Sequence, residues 1–363
     1  MSTVELVHIT VRVPSPHATS SHAGEGATLL DDVSLTVDDG ELLGVVGASG
    51  SGKTTLLRVI AGLQSLAAGT VIIDGIDVNQ VGPAARDVGM VFQDAVLIPT
   101  RDVQHNIAFP LELRRQPDDE IAERVGAETR ALHIEGLLAR APHELSAGEA
   151  QLVQIARALV RVPSVLLLDE PLANLDAAHT HRMRHELRLL QQGYGVTTVL
   201  ATNDPLEAMA MPDRLVVLDA GSVVQVATPA EVFEHPATLT AAACTGHVSL
   251  LQAVVEADSD GFWLVHPAFR HRAWRPSLAG RVGSTVVVAV RPAWVRVAAD
   301  GPVAATVETV SPVTRTIRVS LDDGGNRLEI ATGPHTHRVG ERLSLHLDQV
   351  ALFDPTTGFE VGR

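Results

Sequence analysis

Lysine is almost absent from this chain of 363 residues. Lysine and arginine together number 28, and Lys53 is the only lysine among them. A coding bias toward arginine accounts for the scarcity of lysine, but not for the position of the one that remains. We therefore expect Lys53 to perform a task for which arginine is a poor substitute.

Other shortages exclude whole classes of protein. The single cysteine, Cys244, excludes an internal disulfide framework and suits a reducing cytoplasm. No apolar run approaches the roughly 18 residues of a membrane-spanning helix, and the start MSTVELVHIT lacks the basic-then-apolar order of a signal peptide. The formal net charge of −15 disfavours a nucleic-acid partner. The sequence predicts a cytoplasmic chain that reaches a membrane only through a partner.

Strand and helix patterns alternate through the first two thirds of the chain. The short apolar runs LLGVVG, VGMVFQ, SVLLLDE and VTTVLATND each end on polar or glycine residues, which is typical of buried strands in a parallel sheet. Ligand sites in such sheets lie just past the carboxyl ends of the strands. DDVSLTVDDGELLGVVG predicts two strands around the turn DDG. Residues of about 95–150 are helical in character and predict an inserted helical subdomain.

The pattern changes near residue 240. Beyond it, TRTIRVSLD, NRLEIAT and ERLSLHLD alternate apolar with polar residues, and DDGG and TGPH provide turns. The three tryptophans, Trp263, Trp274 and Trp294, all lie in this part. We therefore predict an α/β domain over residues 1–240 and a small all-β domain over residues 241–363.

The stretch GASGSGKTT fits the phosphate-loop pattern G-x-x-x-x-G-K-[ST] between a predicted strand and a predicted helix. Its backbone N–H groups and the helix N-terminus would cradle phosphates. Lys53 would reach the β- and γ-phosphates as a slim ammonium, whereas a guanidinium is wider and fixed in shape. The alternative is a glycine-serine turn with a chance lysine. The predicted nucleotide-binding residues here are Gly47, Ala48, Ser49, Gly50, Ser51, Gly52, Lys53, Thr54 and Thr55.

A second nucleotide motif follows the apolar run SVLLL. Asp169 fits the ligand of a Mg²⁺ ion that Thr54 would also hold, and Glu170 fits a general base that polarises the attacking water. Acidic residues after a strand also cap helices, so Asp169 and Glu170 alone are weak evidence for a nucleotide site. Together with the phosphate loop it predicts ATP and Mg²⁺ as the bound groups.

The segment HELSAGEAQLVQIARALVRVPSVLLLDEPLANLDA resembles the ATP-binding-cassette (ABC) ATPases, in which LSAGE stands where the family has LSGGQ. The resemblance implies that Ser146, Ala147, Gly148 and Glu149 contact the nucleotide held by a second subunit. The alternative is a capping box, because Ser146 and Glu149 have the S-x-x-E spacing. Both roles are compatible, since a cap that presents N–H groups is also an anion site.

Further elements of the same family follow in order. Gln93 matches the loop residue that links Mg²⁺ and water to the transmembrane partner, and Asp176 in Asn174-Leu175-Asp176 matches a dimer-contacting loop. Arg291-Pro292 and Leu352-Phe353-Asp354 resemble the small TOBE or OB-like barrel of bacterial importer ATPases. The resemblance implies a P-loop NTPase fold, with a RecA-like core and a helical subdomain, followed by that β-barrel.

Two positions depart from the family. No aromatic residue precedes Phe92, and Val13 stands where an aromatic residue usually stacks on adenine. Base stacking is worth about 1–3 kcal/mol, so weaker ATP binding is expected unless a group such as His8 or His17 compensates. Asn203 stands where the family has a histidine that contacts the γ-phosphate; asparagine donates a hydrogen bond but carries no charge. Asn203 could equally cap the next helix.

These features predict the ATP-hydrolysing subunit of a bacterial ABC importer, most like the sugar-importer branch. The resemblance implies a second ATPase subunit, identical or different, with transmembrane permease subunits and an extracytoplasmic solute-binding protein, at the cytoplasmic face of the membrane. The expected catalytic residues are Glu170, Gln93 and Asn203, and the expected metal ligands are Thr54, Gln93 and Asp169. The alternatives are a cassette that binds ATP but hydrolyses it poorly, and an importer of polyamines, phosphate esters or oxyanions.

Overall fold

The computed structural model describes residues 2–13, 27–273, 275–322, 325–333 and 337–361. Residues 14–26, which include His17, lie outside the described residues, as do Trp274 and parts of the predicted turns DDGG and TGPH. The chain divides into two compact units, Met1–Ala230 and Glu231–Arg363. None of the described helices is both long enough and apolar enough to cross a membrane.

The first unit alternates strands and helices. Its strands are β1 (Val4–Val13), β2 (Ala27–Val37), β3 (Leu42–Gly47), β4 (Ala68–Ile73), β5 (Ile76–Asp77), β6 (Val88–Val91), β7 (Val165–Asp169), β8 (Thr197–Ala201), β9 (Arg214–Asp219) and β10 (Ser222–Ala227). Its helices are α1 (Lys53–Ile60), α2 (Val103–Leu113), α3 (Asp118–Ala131), α4 (Ala147–Leu159), α5 (Ala177–Tyr194) and α6 (Pro205–Ala210), with 3-10 turns at Pro83–Ala85, Glu135–Leu137 and Pro142–Glu144.

These strands form two sheets. The first is antiparallel, in the order β2-β1-β4-β5, and the second has the order β10-β9-β3-β8-β7-β6. In the second sheet β9, β3, β8, β7 and β6 are parallel, and β10 is an antiparallel edge. The two strands predicted around DDG are confirmed as β2 and β3, but they belong to different sheets.

Both faces of the parallel sheet are buried, as the unbroken apolar runs indicate. On β7, Val165 and Leu167 pack into a core shared with α1 and the antiparallel sheet. Leu166 and Leu168, which point to the other face, pack into a core that α2, α3, α4 and α5 complete. The sheet is therefore a rigid layer whose carboxyl edge carries the loops after β3, β7 and β8.

The helices between β6 and β7 occupy the position predicted for the helical subdomain. Helices α2 and α3 pack against α4, and α4 also contacts β6. The limit of about residue 150 falls inside α4, which runs on to Leu159 with most of its residues buried. The helix that begins at the LSAGE loop is therefore continuous with the core of the first unit.

The second unit contains α7 (Pro229–Glu234, which begins at the junction), α8 (Leu239–Cys244) and the remaining strands. These are β11 (Ser249–Asp258), β12 (Gly261–His266), β13 (Phe269–Ala273), β14 (Thr285–Val290), β15 (Val295–Val297), β16 (Val303–Ser311), β17 (Thr316–Leu321), β18 (Arg327–Ala331), β19 (Arg342–Leu347) and β20 (Ala351–Phe353), with 3-10 turns at Pro276–Arg281 and Pro292–Trp294. They form sheets in the orders β13-β12-β11-β14-β20 and β15-β19-β16-β17-β18 around one apolar core. This all-β arrangement is consistent with the predicted OB-like domain.

Arg291 ties the residues at the start of the second unit to its β-sheets. Its side chain is 1% exposed; Nε donates to the carbonyl oxygen of Phe233 at 3.1 Å and Nη2 to Thr245 Oγ1 at 2.8 Å. The guanidinium also lies 4.0 Å from the ring of Phe233 and 5.4 Å from that of Trp294. Burial lowers the pKa of Arg291 to about 10, so it stays charged at neutral pH and ties the residues on either side of α8 to the β-sheets.

Candidate functional site

The glycine-rich loop joins the end of β3 to the start of α1. A Cβ on Gly47 would lie 2.2 Å from the carbonyl oxygen of Leu218, so only glycine fits the path of the chain there. Gly52 precedes α1 in a left-handed conformation (φ 110°) that favours glycine. The first turn of α1 has neither a side-chain cap nor an acidic residue. Its partial positive charge therefore stays available to an anion.

Lys53 is the first residue of α1 and is only 6% exposed. Its Nζ donates to the carbonyl oxygens of Gly47 at 2.9 Å and Ala48 at 3.0 Å. These bonds hold the ammonium against the loop instead of leaving it in bulk solvent. The one lysine of the chain thus lies at the loop that the sequence predicted it to serve.

Thr54 and Asp169 form a pair of oxygen donors beside the loop. Thr54 Oγ1 donates to Asp169 Oδ1 at 3.1 Å, and Asp169 ends β7 with 3% exposure. Burial raises the pKa of Asp169, and the hydrogen bond from Thr54 opposes that rise. A hydroxyl and a buried carboxylate are the hard oxygen ligands that Mg²⁺ prefers, so the pair fits this ion.

Glu170 is held by two amide side chains. Gln93 Nε2 donates to Glu170 Oε2 at 3.0 Å, and Asn203 Nδ2 donates to Glu170 Oε1. The backbone of Glu170 has φ 46°, which is uncommon for a residue with a side chain and typical of functional positions. Its N–H donates to the carbonyl oxygen of Ala201, at the end of the neighbouring strand β8. The loops after β6, β7 and β8 therefore bring Gln93, Glu170 and Asn203 together.

A cleft of about 310 Å³ contains most of these groups. Its lining consists of Leu29, Ser49, Gly50, Gly52, Lys53, Thr54, Thr55, Gln93, Glu170 and Asn203. Among the described residues, Val13 is not part of this lining; it pairs with Ala27 at the end of β1. His8 Nδ1 lies 2.6 Å from Asp32 Oδ1, and both side chains are exposed on the outer face of the antiparallel sheet. Neither residue offers the cleft a ring on which a base would stack.

The LSAGE loop begins α4 in a different cleft. Ser146 is the N-cap of α4 and forms a complete capping box with Glu149, so the capping alternative is confirmed as local structure. Ser146, Ala147, Gly148 and Glu149 line a cleft of about 630 Å³ together with Asn174, Leu175 and Asp176. Among the described residues, this cleft shares no lining residue with the phosphate-loop cleft. The LSAGE loop and the phosphate loop therefore lie in two separate clefts of one copy of the chain.

Gly148 lies close to the segment Asn174-Leu175 of the same chain. A Cβ at Gly148 would lie 2.8 Å from Leu175 Cδ2 and 3.3 Å from the carbonyl oxygen of Asn174. The next residue, Asp176, precedes α5 and accepts a hydrogen bond from the N–H of His179 at 3.1 Å. The predicted dimer-contacting loop thus packs directly on the LSAGE loop.

Glu207 is a buried acid that the sequence did not single out. It lies in the first turn of α6 with 3% exposure, and its Oε2 has no hydrogen-bond partner in the part of the chain that the structure describes. Glu207 lines a cavity of about 360 Å³ together with Glu170 and Asn203. Burial raises the pKa of Glu207. The available signal was an acidic residue four positions after Asn203, in the first turn of the helix that follows it.

Comparison with known proteins gives a consistent result. The family model described as ABC transporter matches residues 30–173. The sn-glycerol-3-phosphate import ATP-binding protein UgpC of Chromohalobacter salexigens is 39% identical over 355 residues, 96% of this chain and 92% of the relative. The putrescine transport ATP-binding protein PotG of Escherichia coli is 39% identical over 286 residues, 78% of this chain and 75% of the relative.

Two solved structures share the fold. The dimeric bacterial ABC transporter cassette MJ0796 is 28% identical with a TM-score of 0.57, over 62% of this chain and 98% of that one. A post-hydrolysis dimer of MJ0796 bound to ADP and phosphate is 29% identical with a TM-score of 0.56, over the same shares. The predicted P-loop NTPase fold of the first unit is confirmed.

Proposed function

The chain belongs to the ABC transporter family as an ATP-binding and ATP-hydrolysing importer subunit, and from that premise we propose how its residues act and what they act with. The observation that carries the proposal is the convergence of a buried lysine, a threonine–aspartate pair and a clamped glutamate on one cleft. Steady-state ATP turnover of the purified transporter, with and without changes at these residues, tests it.

The phosphate loop holds the ATP. Its residues Gly47 to Thr55 surround the phosphates with backbone N–H groups, at a helix N-terminus that carries no competing acidic side chain. Lys53 exchanges its bonds to the carbonyls of Gly47 and Ala48 for the β- and γ-phosphates. ATP binding follows from the family; the part of each residue is our proposal.

Thr54 and Asp169, which are hydrogen-bonded to each other, would hold a Mg²⁺ ion, and Gln93 would be the third ligand from the chain. The raised pKa of Asp169 supports this assignment, because a cation would restore the charged form that burial disfavours. When bound, the ion would neutralise charge that develops on the transferred phosphoryl group.

Glu170 orients the attacking water and accepts its proton. A carboxylate is needed because an amide of the same shape cannot accept a proton at neutral pH. Gln93 and Asn203 fix the direction of the carboxylate by donating to one oxygen each. Neither amide titrates, so both donors are present at any working pH.

Two copies of the chain close over two ATP molecules. Each complete site then combines one copy's phosphate loop with the other copy's Ser146, Ala147, Gly148 and Glu149, while Asp176 lies at the junction. The separation of the two clefts in one copy supports this arrangement. A homodimer is the simplest assembly, and a pair with a different cassette is the alternative.

The membrane partners are transmembrane permease subunits, with an extracytoplasmic solute-binding protein. We place the chain at the cytoplasmic face of the membrane, in contact with the permease through the Gln93 loop and helices α2 and α3. No nucleic acid is part of the assembly. Co-purification of the chain with a membrane protein after detergent extraction tests this assignment, and recovery of the chain free of any membrane protein would contradict it.

Residues 1–240 form the ATPase domain in this proposal, and residues 241–363 form a TOBE or OB-like domain that contributes dimer contacts or regulation. Its strands form their own apolar core, as an appended domain requires. Removal of residues 241–363 should leave ATP binding intact but change how strongly the transported solute stimulates ATP turnover. The measurement is the rate of ATP turnover with and without solute, in the full-length and in the truncated chain.

The transported solute is a sugar or a related small polar molecule. The relatives named for sn-glycerol 3-phosphate import support a small polar solute of this kind and keep the phosphate-ester alternative open, because that compound is the phosphate ester of a polyol. The relative named for putrescine keeps polyamine import as an alternative. The test is uptake into vesicles that contain the reconstituted transporter, with labelled disaccharide, sn-glycerol 3-phosphate and putrescine supplied in turn. Uptake of putrescine alone would overturn the assignment.

A weakly hydrolysing cassette is the second candidate function, and Asn203 favours it. If Asn203 already serves as an adequate donor to Glu170, Asn203→His should change turnover by less than about tenfold. Asn203→Ala, which removes the donor, should lower turnover by about tenfold or more, since a hydrogen bond to a charged group is worth roughly 1.5–3 kcal/mol. Steady-state rates of phosphate release measure both.

The same pair of variants separates the two candidates. An increase of more than about tenfold in Asn203→His would mean that the native site lacks something a histidine supplies, and would favour the weakly hydrolysing cassette. ATP affinity is measured on each variant as well, because Asn203 lines the phosphate-loop cleft and a change in turnover must be separated from a change in ATP binding.

A further inference from the structure

The N-terminus of α4 is occupied by a side chain of its own first turn. Glu149 Oε2 accepts hydrogen bonds from the backbone N–H of Ser146 at 2.8 Å and from the Ser146 hydroxyl at 2.8 Å. Ser146 Oγ in turn accepts from the N–H of Glu149 at 3.3 Å. Both donors of Ser146 are therefore already engaged by a carboxylate of the same chain.

Arg140 contacts the other oxygen of that carboxylate. Its Nη1 lies 3.3 Å from Glu149 Oε1. The backbone of Arg140 is fixed, because its carbonyl oxygen accepts from the N–H of Val103 and its N–H donates to Leu137, both at 2.9 Å. The hydrogen bonds from Ser146 lower the pKa of Glu149, so the carboxylate is charged at neutral pH.

The Glu149 carboxylate stabilises the start of α4 in a single copy of the chain. The same carboxylate opposes the closure of two copies over ATP. A carboxylate at a helix N-terminus is stabilising because it satisfies N–H groups and the helix dipole. Under the proposed function, the γ-phosphate presented by a second copy requires the same helix end and the same hydroxyl. A second anion at that place is repelled by the first. Glutamine would keep a capping oxygen without the charge.

We propose that Glu149 competes with the γ-phosphate of the second copy's ATP for the donors of Ser146. Arg140 is a positioning residue: it holds the carboxylate by its other oxygen and so eases the release of Ser146. The inference rests on the proposed closure of two copies over ATP. The ATP concentration at which two copies close therefore depends on the charges of Arg140 and Glu149, although both residues lie outside the phosphate-loop cleft.

Changing these charges should shift the ATP concentration at which half of the chains are dimeric. Glu149→Gln should lower it by about three- to tenfold, because an anion leaves each of the two sites in the dimer. Arg140→Ala should raise it by about threefold, and Arg140→Lys should restore the parent value. In a Glu149→Gln chain, Arg140→Ala should have a smaller effect, since no carboxylate remains to be held.

The experiment uses full-length chains that carry Glu170→Gln, so that bound ATP is not consumed. Light scattering follows dimer formation during titration with ATP and Mg²⁺, at low and at high salt. ATP binding measured below the dimerisation concentration should be the same for all variants. Because partly exposed charges are screened by salt, the shift caused by Glu149→Gln should shrink at high salt, whereas a merely structural effect would not.

Each result has one meaning. An unchanged midpoint in Glu149→Gln, in a chain that still dimerises with ATP, overturns the competition. If Arg140→Ala raises the ATP midpoint by the same factor in the parent and in the Glu149→Gln chain, the positioning role of Arg140 is overturned. If the parent itself never dimerises with ATP, the proposed closure fails and the competition fails with it.

Discussion

ATP turnover is expected to fall by about two to four orders of magnitude when Glu170 is replaced by glutamine, while ATP binding is retained. General base catalysis contributes a factor of this size. Glutamine has almost the same shape as glutamate and still accepts a hydrogen bond through one oxygen, but it cannot accept the proton of the attacking water. Gln93 and Asn203 currently donate to both oxygens of the carboxylate.

The measurement is the steady-state rate of phosphate release by the purified transporter, together with a titration of ATP binding. Asp39→Asn is the matched control, because Asp39 is exposed in the turn between β2 and β3 and lies outside the clefts described above. The control should keep the parent rate. If Glu170→Gln also kept it, Glu170 would not be the base and the assignment of the whole cleft would be wrong.

ATP affinity is expected to fall by about a hundredfold or more when Lys53 is replaced by arginine. The ammonium is 6% exposed and reaches two carbonyl oxygens of the loop within 3.0 Å. A planar guanidinium is wider and cannot take the same place without displacing the loop. The loss of two charge-assisted hydrogen bonds to phosphate, at roughly 1.5–3 kcal/mol each, is of this order.

The control is the reverse substitution, of an arginine by lysine, at a surface position. Arg130→Lys on α3 is exposed and should bind ATP like the parent. Equilibrium titration gives the affinity, and thermal unfolding shows whether Lys53→Arg has folded. A folded Lys53→Arg chain with the parent's affinity would mean that the lone lysine has no special role at the loop.

Local patterns were sufficient for the elements that position the site. The phosphate loop, the strand that ends at Asp169 and the helix that begins after Ser146 each depend on residues close together in the sequence. The burial of both faces of β7 also follows from its unbroken apolar run. Such features need no knowledge of distant partners.

Long-range contacts were not available from the sequence. The bonds that Arg291 makes to Phe233 and Thr245 place α8 with the second unit, and they join residues more than forty positions apart. The donation of Asn203 to Glu170 depends on the pairing of β7 with β8. The capping box was foreseen, but its use of both donors of Ser146 and its bond to Arg140 were not.

The central claim is that each ATP site is shared between two copies of the chain. Cysteine cross-linking tests it most directly, because Cys244 is the only native cysteine and can be replaced by serine. In that background, with Glu170→Gln, one preparation carries Ser49→Cys in the phosphate loop and the other Ala147→Cys in the LSAGE loop. Both positions are exposed in the single copy.

The two preparations are mixed under mild oxidation, with and without ATP and Mg²⁺, and separated by non-reducing electrophoresis. A shared site predicts a covalent dimer that appears only in the mixture and only with ATP, since each phosphate loop then faces a LSAGE loop of the other copy. If the mixture gives no ATP-dependent dimer, or if either preparation alone gives as much, the sites are not shared in this way and the claim is contradicted.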